Sequence, residues 1–176
     1  MNNAIPFLVG GDRDTTLPVS LVDVKKHLAI DFYDDDTRIE SLIWTATDLL
    51  ESTYDLVIVE RQWEQSVPNL LPGTGNHWGT VYPLSYSPHS KSIRLLKYPT
   101  ISLDAVSYYD SNNATQDFDV DNLIFMQSGQ YRSYVQLLNG VGVPAHYDRP
   151  DAFGIAYTCG FDTIPMGIQH AIKLVV

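Results

Sequence analysis

The sequence predicts an α+β fold. Two N-terminal helices form an αα-hairpin, one C-terminal helix packs on them, and an antiparallel β-sandwich or barrel-like domain is inserted between. Three observations predict this. Residues 39–54 carry apolar side chains at helical spacing. Residues 57–161 alternate short β-branched and aromatic runs with Gly, Pro and Asn turns. Residues 164–175 return to helical spacing, and the economical solution packs the apolar helix faces together.

At 176 residues the chain suits one domain, or one domain with a large insertion. Residues 1–18, with Gly-Gly, Asp and Pro, read as an irregular N-terminal arm. They lack the basic region and apolar core of a signal peptide. The helical part then comprises residues 19–56 and 162–176, and the inserted β-domain residues 57–161.

The first helix starts at Ser20, whose side chain can cap it, with Asp23 three residues on as in a capping box. Leu21, Val24 and Leu28 give its apolar stripe, and it is expected to end near Ile30. The second helix carries Ile39, Leu42, Ile43, Ala46, Leu49, Leu50 and Tyr54 on one face expected to be buried.

Between these helices lies "DFYDDDTRIE". A Mg²⁺ or Ca²⁺ site uses oxygens from such a cluster, but calcium loops have a defined spacing and a glycine at the sharp turn, and neither is here. Asp31 reads as closing the first helix. Asp34, Asp35 and Asp36, with a Thr37-x-x-Glu40 capping box, read as starting the second.

The strand pattern begins at residue 57 with "VIVERQWEQSV". Residues 68–90 form a long loop rich in Pro, Gly, Ser and aromatics, a length that often marks function. Its Trp78, Tyr82 and Tyr86 are interface candidates, since aromatics are enriched at interface centres; rings folded back over the sheet are the structural alternative. Strands resume with "SIRLLKY", "LDAVSYYD", "FDVD", "LIFMQ", "YVQLLNG" and "AFGIAYT", with "SNNATQ" as a turn. Pro165 opens the last helix in its first turn, and Ile164, Ile168, Ala171, Ile172 and Val175 share a face. That helix is still apolar at Val176, so either it continues in a longer chain or a partner covers its end.

Composition narrows the chemistry. No run of about 18 apolar residues predicts a membrane span. The single cysteine, Cys159, excludes an internal disulfide framework and a Cys-based zinc cluster, suits a reducing cytoplasm, and reads as a small buried residue. A net charge of −10 with no Lys/Arg cluster argues against a groove that grips phosphates, though an acidic surface can line a passage through which nucleic acid slides. Asp117, Asp119 and Asp121 sit at positions 1, 3 and 5 of an EF-hand-like loop. Asn122 and Ser128 stand where Gly and Glu are required, so an exposed strand face or turn is the reading. His27, His77, His89, His146 and His170 form no metal-ligand spacing, and no nucleophile elbow, Walker loop or dinucleotide fingerprint occurs. The expectation is no enzyme, no catalytic or metal residues and no cofactor.

Three segments carry a resemblance. "VSLVDVKKHLAIDFYDDDTRIESLIWTATDLLESTY" resembles the N-terminal signature of tailed-bacteriophage head–tail connector (adaptor) proteins: a capped helix, an "HLRID"-like turn, an acidic stretch and a long helix ending near an aromatic. Ala29 replaces the usual basic residue of that turn. "IRLLKYPTISLDAVSYYD" looks like the family's strand–Pro–strand segment, with Lys97 where a proline is common. "RPDAFGIAYTCGFDTIPMGIQHAIKLVV" resembles its closing signature, with Cys159 replacing an alanine. The resemblance covers about residues 19–176 and is weakest across 65–90. It implies the longer family form, helical with an inserted β-domain. It also implies a virion structural role: a homo-oligomeric ring, usually of twelve copies, in the neck under the portal protein. The ring extends the channel through which genomic DNA passes without specific binding, docks a stopper, head-completion or tail protein, assembles in the host cytoplasm, and involves no membrane. Two other readings stay open: a β-domain module holding a glycan or peptide through the aromatic loop, and a metal-dependent hydrolase using Asp and His residues.

Overall fold

The computed structural model describes residues 8–13, 15–70, 92–129 and 132–176. Among these residues, three α-helices and eight strands follow the order β1 (Leu8–Gly10), α1 (Leu21–Leu28), α2 (Asp36–Tyr54), β2 (Arg61–Val67), β3 (Ser92–Arg94), β4 (Thr100–Tyr109), β5 (Thr115–Phe118), β6 (Leu123–Gln127), β7 (Ser133–Leu137), β8 (Phe153–Cys159) and α3 (Met166–Val175).

All named strand pairs are antiparallel. One sheet has the order β1-β2-β8-β4-β5 and the other β3-β7-β6, both open, so no barrel closes among the described residues. β8 is the centre of the larger sheet. Its Phe153, Ile155, Tyr157 and Cys159 alternate inward, as a strand's two-residue period dictates. They join Val67 and Val106 of the same sheet and Ile93, Leu123, Val135 and Leu137 of the smaller sheet in one buried cluster. Gln65, fully buried, ties that cluster to the chain after β3. Its amide donates to the Arg94 carbonyl at 3.1 Å, and its Oε1 accepts from Leu96 N–H at 3.0 Å and Tyr157 O–H at 3.3 Å.

The helices bury a second cluster: Val19, Val24, Ile39, Ile43, Ala46 and Ile172, with Leu17, Leu50 and Ile168 against it. The N- and C-terminal helices therefore share a core, as the apolar stripes predict.

The structure corrects several sequence expectations. The arm is not wholly irregular, because Leu8–Gly10 pairs with β2 as an edge strand. Val57, Ile58 and Val59 are not strand: all three are buried in a connection, and the ladder starts at Arg61. The expected strand "FDVD" ends at Phe118 and passes into a short 3₁₀ turn over Val120–Asn122. On α2, Leu42, Leu49 and Tyr54 are exposed, so the buried face is narrower than the apolar stripe. Pro165 is the N-cap of α3 rather than part of its first turn.

Helix ends explain the turn between α1 and α2. Ser20 caps α1 as expected, its hydroxyl accepting the Asp23 N–H at 3.1 Å and donating to the Asp23 carboxylate at 2.7 Å. α1 closes at Leu28, not at Asp31. Ala29 is left-handed at φ 56, its N–H bonds the Lys26 carbonyl, and Ile30 N–H bonds the Lys25 carbonyl at 3.0 Å, a Schellman closure. At α2 the Thr37–Glu40 box does not start the helix. Asp35 takes the N-cap, with its carbonyl accepting Ile39 N–H, so Thr37 lies inside. Asp35 makes no side-chain cap bond: at φ −100, ψ 7 it lacks the extended backbone that aims a capping side chain back at the helix. Asp36 lies in the first turn, where negative charge suits the dipole, and also pairs with Lys25 Nζ at 2.6 Å.

Candidate functional site

The two cores meet at Glu51, a charged residue on the last turns of α2 that is nearly inaccessible. Oε1 accepts the Ile58 N–H at 2.7 Å, and Oε2 accepts from Arg61 Nη2 at 2.8 Å and Arg13 Nη2 at 3.2 Å. Arg13 also reaches Asp48. One carboxylate thus fixes the arm, α2 and the entry to β2. A buried acid survives only when its lone pairs are taken up this way. The connection after β3 adds to the joint: Tyr98 O–H donates to the Tyr54 carbonyl at 2.6 Å, and Val57 N–H to the Tyr98 carbonyl at 2.8 Å. The Tyr98–Pro99 peptide is cis.

Besides the exposed stripe of α2, two surfaces among the described residues of the helical part expose apolar side chains. The first is the turn between α1 and α2, where Phe32 is 52% and Tyr33 79% exposed. The turn is held in place by the Ala29 closure and by Lys25, whose ammonium lies 4.3 Å from the Tyr33 ring centroid while it pairs with Asp36. Asp31 and Asp34 flank the two rings and are themselves exposed. The second surface lies across α1 and α3. Met166 and Leu174 are 84% and 67% exposed, with His170 midway between them at helical spacing. His27 of α1 meets His170 edge-on, ring centroids 6.2 Å apart. At the C-terminal end of α2, Leu50, Tyr54, Leu56, Ile58, Gly167, Ile168 and Ala171 line an apolar recess of about 130 Å³.

The sequence-predicted residues fall out as follows. Ser20 caps a helix, and Asp34, Asp35, Asp36, Thr37 and Glu40 occupy the turn and first turns of α2. Trp78, Tyr82 and Tyr86 lie outside the described residues, as do His77, His89 and most of the 68–90 loop. Asp119 caps the 3₁₀ turn by accepting the Asp121 N–H at 3.0 Å, so it has a local structural role. Among the described residues no three His, Cys, Asp or Glu side chains converge as a metal site requires. Cys159 is buried, and burial pushes its thiol up to about 12. It therefore stays protonated and unreactive as a nucleophile at neutral pH. Tyr157 is likewise pushed well above the usual tyrosine range by burial. No helix among the described residues is long and apolar enough to cross a membrane.

Glu51 was missed by sequence reasoning. The available signal was its position i+4 from Thr47 and i+8 from Ile43, on the buried side of α2.

No family profile and no curated protein matches the sequence. Solved structures do match. A chain from the neck of an empty gene transfer agent (GTA) particle, computed with C6 symmetry, is 15% identical with a TM-score of 0.66, over 96% of this chain and 80% of that one. A chain of the virion of a native GTA particle is 14% identical at a TM-score of 0.67, over 96% and 81%. A chain from the neck of a native GTA particle, computed with C12 symmetry, is 15% identical at a TM-score of 0.60, over 97% and 80%. At these identities the likeness is one of fold, and it runs through both the helical and the sheet parts of the chain.

Proposed function

We propose that this chain is a structural protein of a virion neck. The observation that carries this reading is the shared fold with GTA neck and virion chains across nearly the whole length. In this reading the protein belongs to the adaptor type and forms a ring of twelve copies under the portal. The ring extends the DNA channel and docks a stopper, head-completion or tail protein. The C12 symmetry named for one matching neck supports the copy number. Two exposed apolar surfaces on different sides of α1 support a ring, because a head-to-tail interface joins unlike patches. A net charge of −10 suits a channel wall that DNA must pass without sticking. The role requires no catalytic step and no cofactor.

The test is electron microscopy of a portal protein from the same source, with and without this protein. The reading expects an added ring at one end of the portal. Portal particles unchanged by excess protein would sink it.

A further inference from the structure

Asparagine precedes glycine at a single place in the chain, Asn139–Gly140. The pair is the tip of the turn after β7. Val141 N–H donates to the Leu138 carbonyl at 3.2 Å across it, and Gly140, but not Asn139, has a positive φ, at 90, the pattern of a type II turn. The turn is anchored at its base, where Leu138 N–H donates to the Asn122 carbonyl at 2.9 Å. Its tip is open. Asn139 and Gly140 are exposed, and a Cβ built on Gly140 would meet nothing within 4 Å. Neither the Asn139 carboxamide nor the Gly140 N–H has a hydrogen-bond partner among the described residues.

These are the conditions under which an asparagine reacts with its own backbone. The electrophile is Asn139 Cγ and the nucleophile is the Gly140 amide nitrogen. That nitrogen must be free of an acceptor, and a residue without a Cβ lets it swing onto Cγ. Other asparagines fail both conditions. Asn113 is held by Arg149 Nη1, which donates to its Oδ1 at 2.9 Å, and the next N–H, of Ala114, donates to Asp110 Oδ1 at 3.0 Å. After Asn112, the Asn113 N–H donates to the Asp110 carbonyl at 2.8 Å. After Asn122, the Leu123 N–H donates to the Val120 carbonyl.

We propose that Asn139–Gly140 is a site of spontaneous covalent modification, in which the folded chain converts Asn139 to aspartate and isoaspartate with water as the co-reactant. The Gly140 nitrogen bonds to Asn139 Cγ, and the Cγ–Nδ2 bond breaks. Nδ2 leaves as ammonia, taking up the proton that the Gly140 nitrogen sheds. Water then opens the cyclic imide. Cleavage of the new N–Cγ bond gives aspartate on the normal main chain, and cleavage of the original peptide bond gives isoaspartate, with the main chain routed through the side chain. Either product adds a negative charge to a chain already at −10. The isoaspartate also lengthens the main chain inside the turn that ends β7. This site is independent of the neck reading.

The experiment ages the folded full-length chain in mildly alkaline and mildly acidic buffer and follows each asparagine by peptide mass spectrometry, with fragmentation that separates aspartate from isoaspartate. Both products are expected at position 139, forming faster in the alkaline buffer because the attacking nitrogen must lose its proton. Conversion at Asn139 should be about tenfold faster or more than at Asn113, where hydrogen bonds must break first. Asn139→Gln, whose extra methylene demands a larger ring, should stay unmodified. A folded chain that keeps Asn139 while the urea-denatured chain loses it would overturn the assignment, because the turn would then be protecting the pair. So would an Asn139 that stays intact in both, or conversion at Asn113 as fast as at Asn139.

Discussion

Glu51 Oε2 lies 2.8 Å from Arg61 Nη2, and this pair locks the helical core to the first long strand of the larger sheet. Both side chains are largely withdrawn from solvent, at 7% and 18% exposure. Removing one partner leaves a buried charge uncompensated. Glu51→Ala should therefore cost about 3 kcal/mol, with Ile58 N–H also orphaned. Glu51→Gln keeps an acceptor for that N–H and should cost less. Urea denaturation of the three proteins measures the series; a loss below about 1 kcal/mol for the alanine variant would contradict the role given to the pair.

Ala29 adopts a left-handed conformation that glycine takes without penalty. Ala29 is itself exposed and belongs to neither buried cluster, although the next residue, Ile30, is half-buried against the helical core. Ala29→Gly should stabilise the fold by about 0.5–1 kcal/mol, visible as a higher Tm. A lower Tm would mean that the closure of α1 is not strained.

Gly160, at φ +138, passes against the start of β2. A Cβ added there would meet Glu60 Cα at 2.5 Å and Glu60 N at 2.7 Å, both backbone atoms. Gly160 N–H also donates to the Pro99 carbonyl at 2.9 Å, so the segment is held from two sides. Gly160→Ala should destabilise by about 3 kcal/mol or more, or leave the protein insoluble. Wild-type-like melting of this variant would show that the backbones are further apart.

Asp110 accepts N–H bonds from Asn112 at 2.9 Å and Ala114 at 3.0 Å in the turn before β5. The Ala114 and Asn112 backbone bonds hold its carboxyl below the usual carboxylate value of 3.8. A carboxylate with a depressed folded-state pKa contributes stability that is present above the unfolded value and is lost as pH falls through the folded value. Asp110→Asn keeps an acceptor but cannot titrate, so its stability should fall less steeply than wild type below pH 3.8. Identical acid limbs in the two melting profiles would rule out a contribution from this group.

The helices were legible because their signals are local. Ser20-x-x-Asp23 caps α1 as a short motif can, and Ile39, Ile43 and Ala46 reach the core at the spacing they show in sequence. Failures came where a neighbour in the chain or in space competed. Thr37 and Glu40 satisfy a capping pattern, yet Asp35 captured the N-cap two residues earlier. Val57-Ile58-Val59 reads as strand because β-branched residues favour both strands and burial, and here burial alone operates. β1 is three residues long, too short for periodicity to declare itself, and exists only because β2 offers an edge. The candidate surfaces were half legible. The acidic turn stood out by composition, but the α1/α3 face depends on two helices more than a hundred residues apart meeting at His27 and His170.

The central claim is that copies of this chain form a ring on a portal. Native mass spectrometry of the purified portal complex tests it most directly, because it counts chains. The account predicts a portal particle heavier by the mass of twelve chains, with no stable complexes at intermediate numbers under saturating protein. A portal mass unchanged by saturating protein would contradict it.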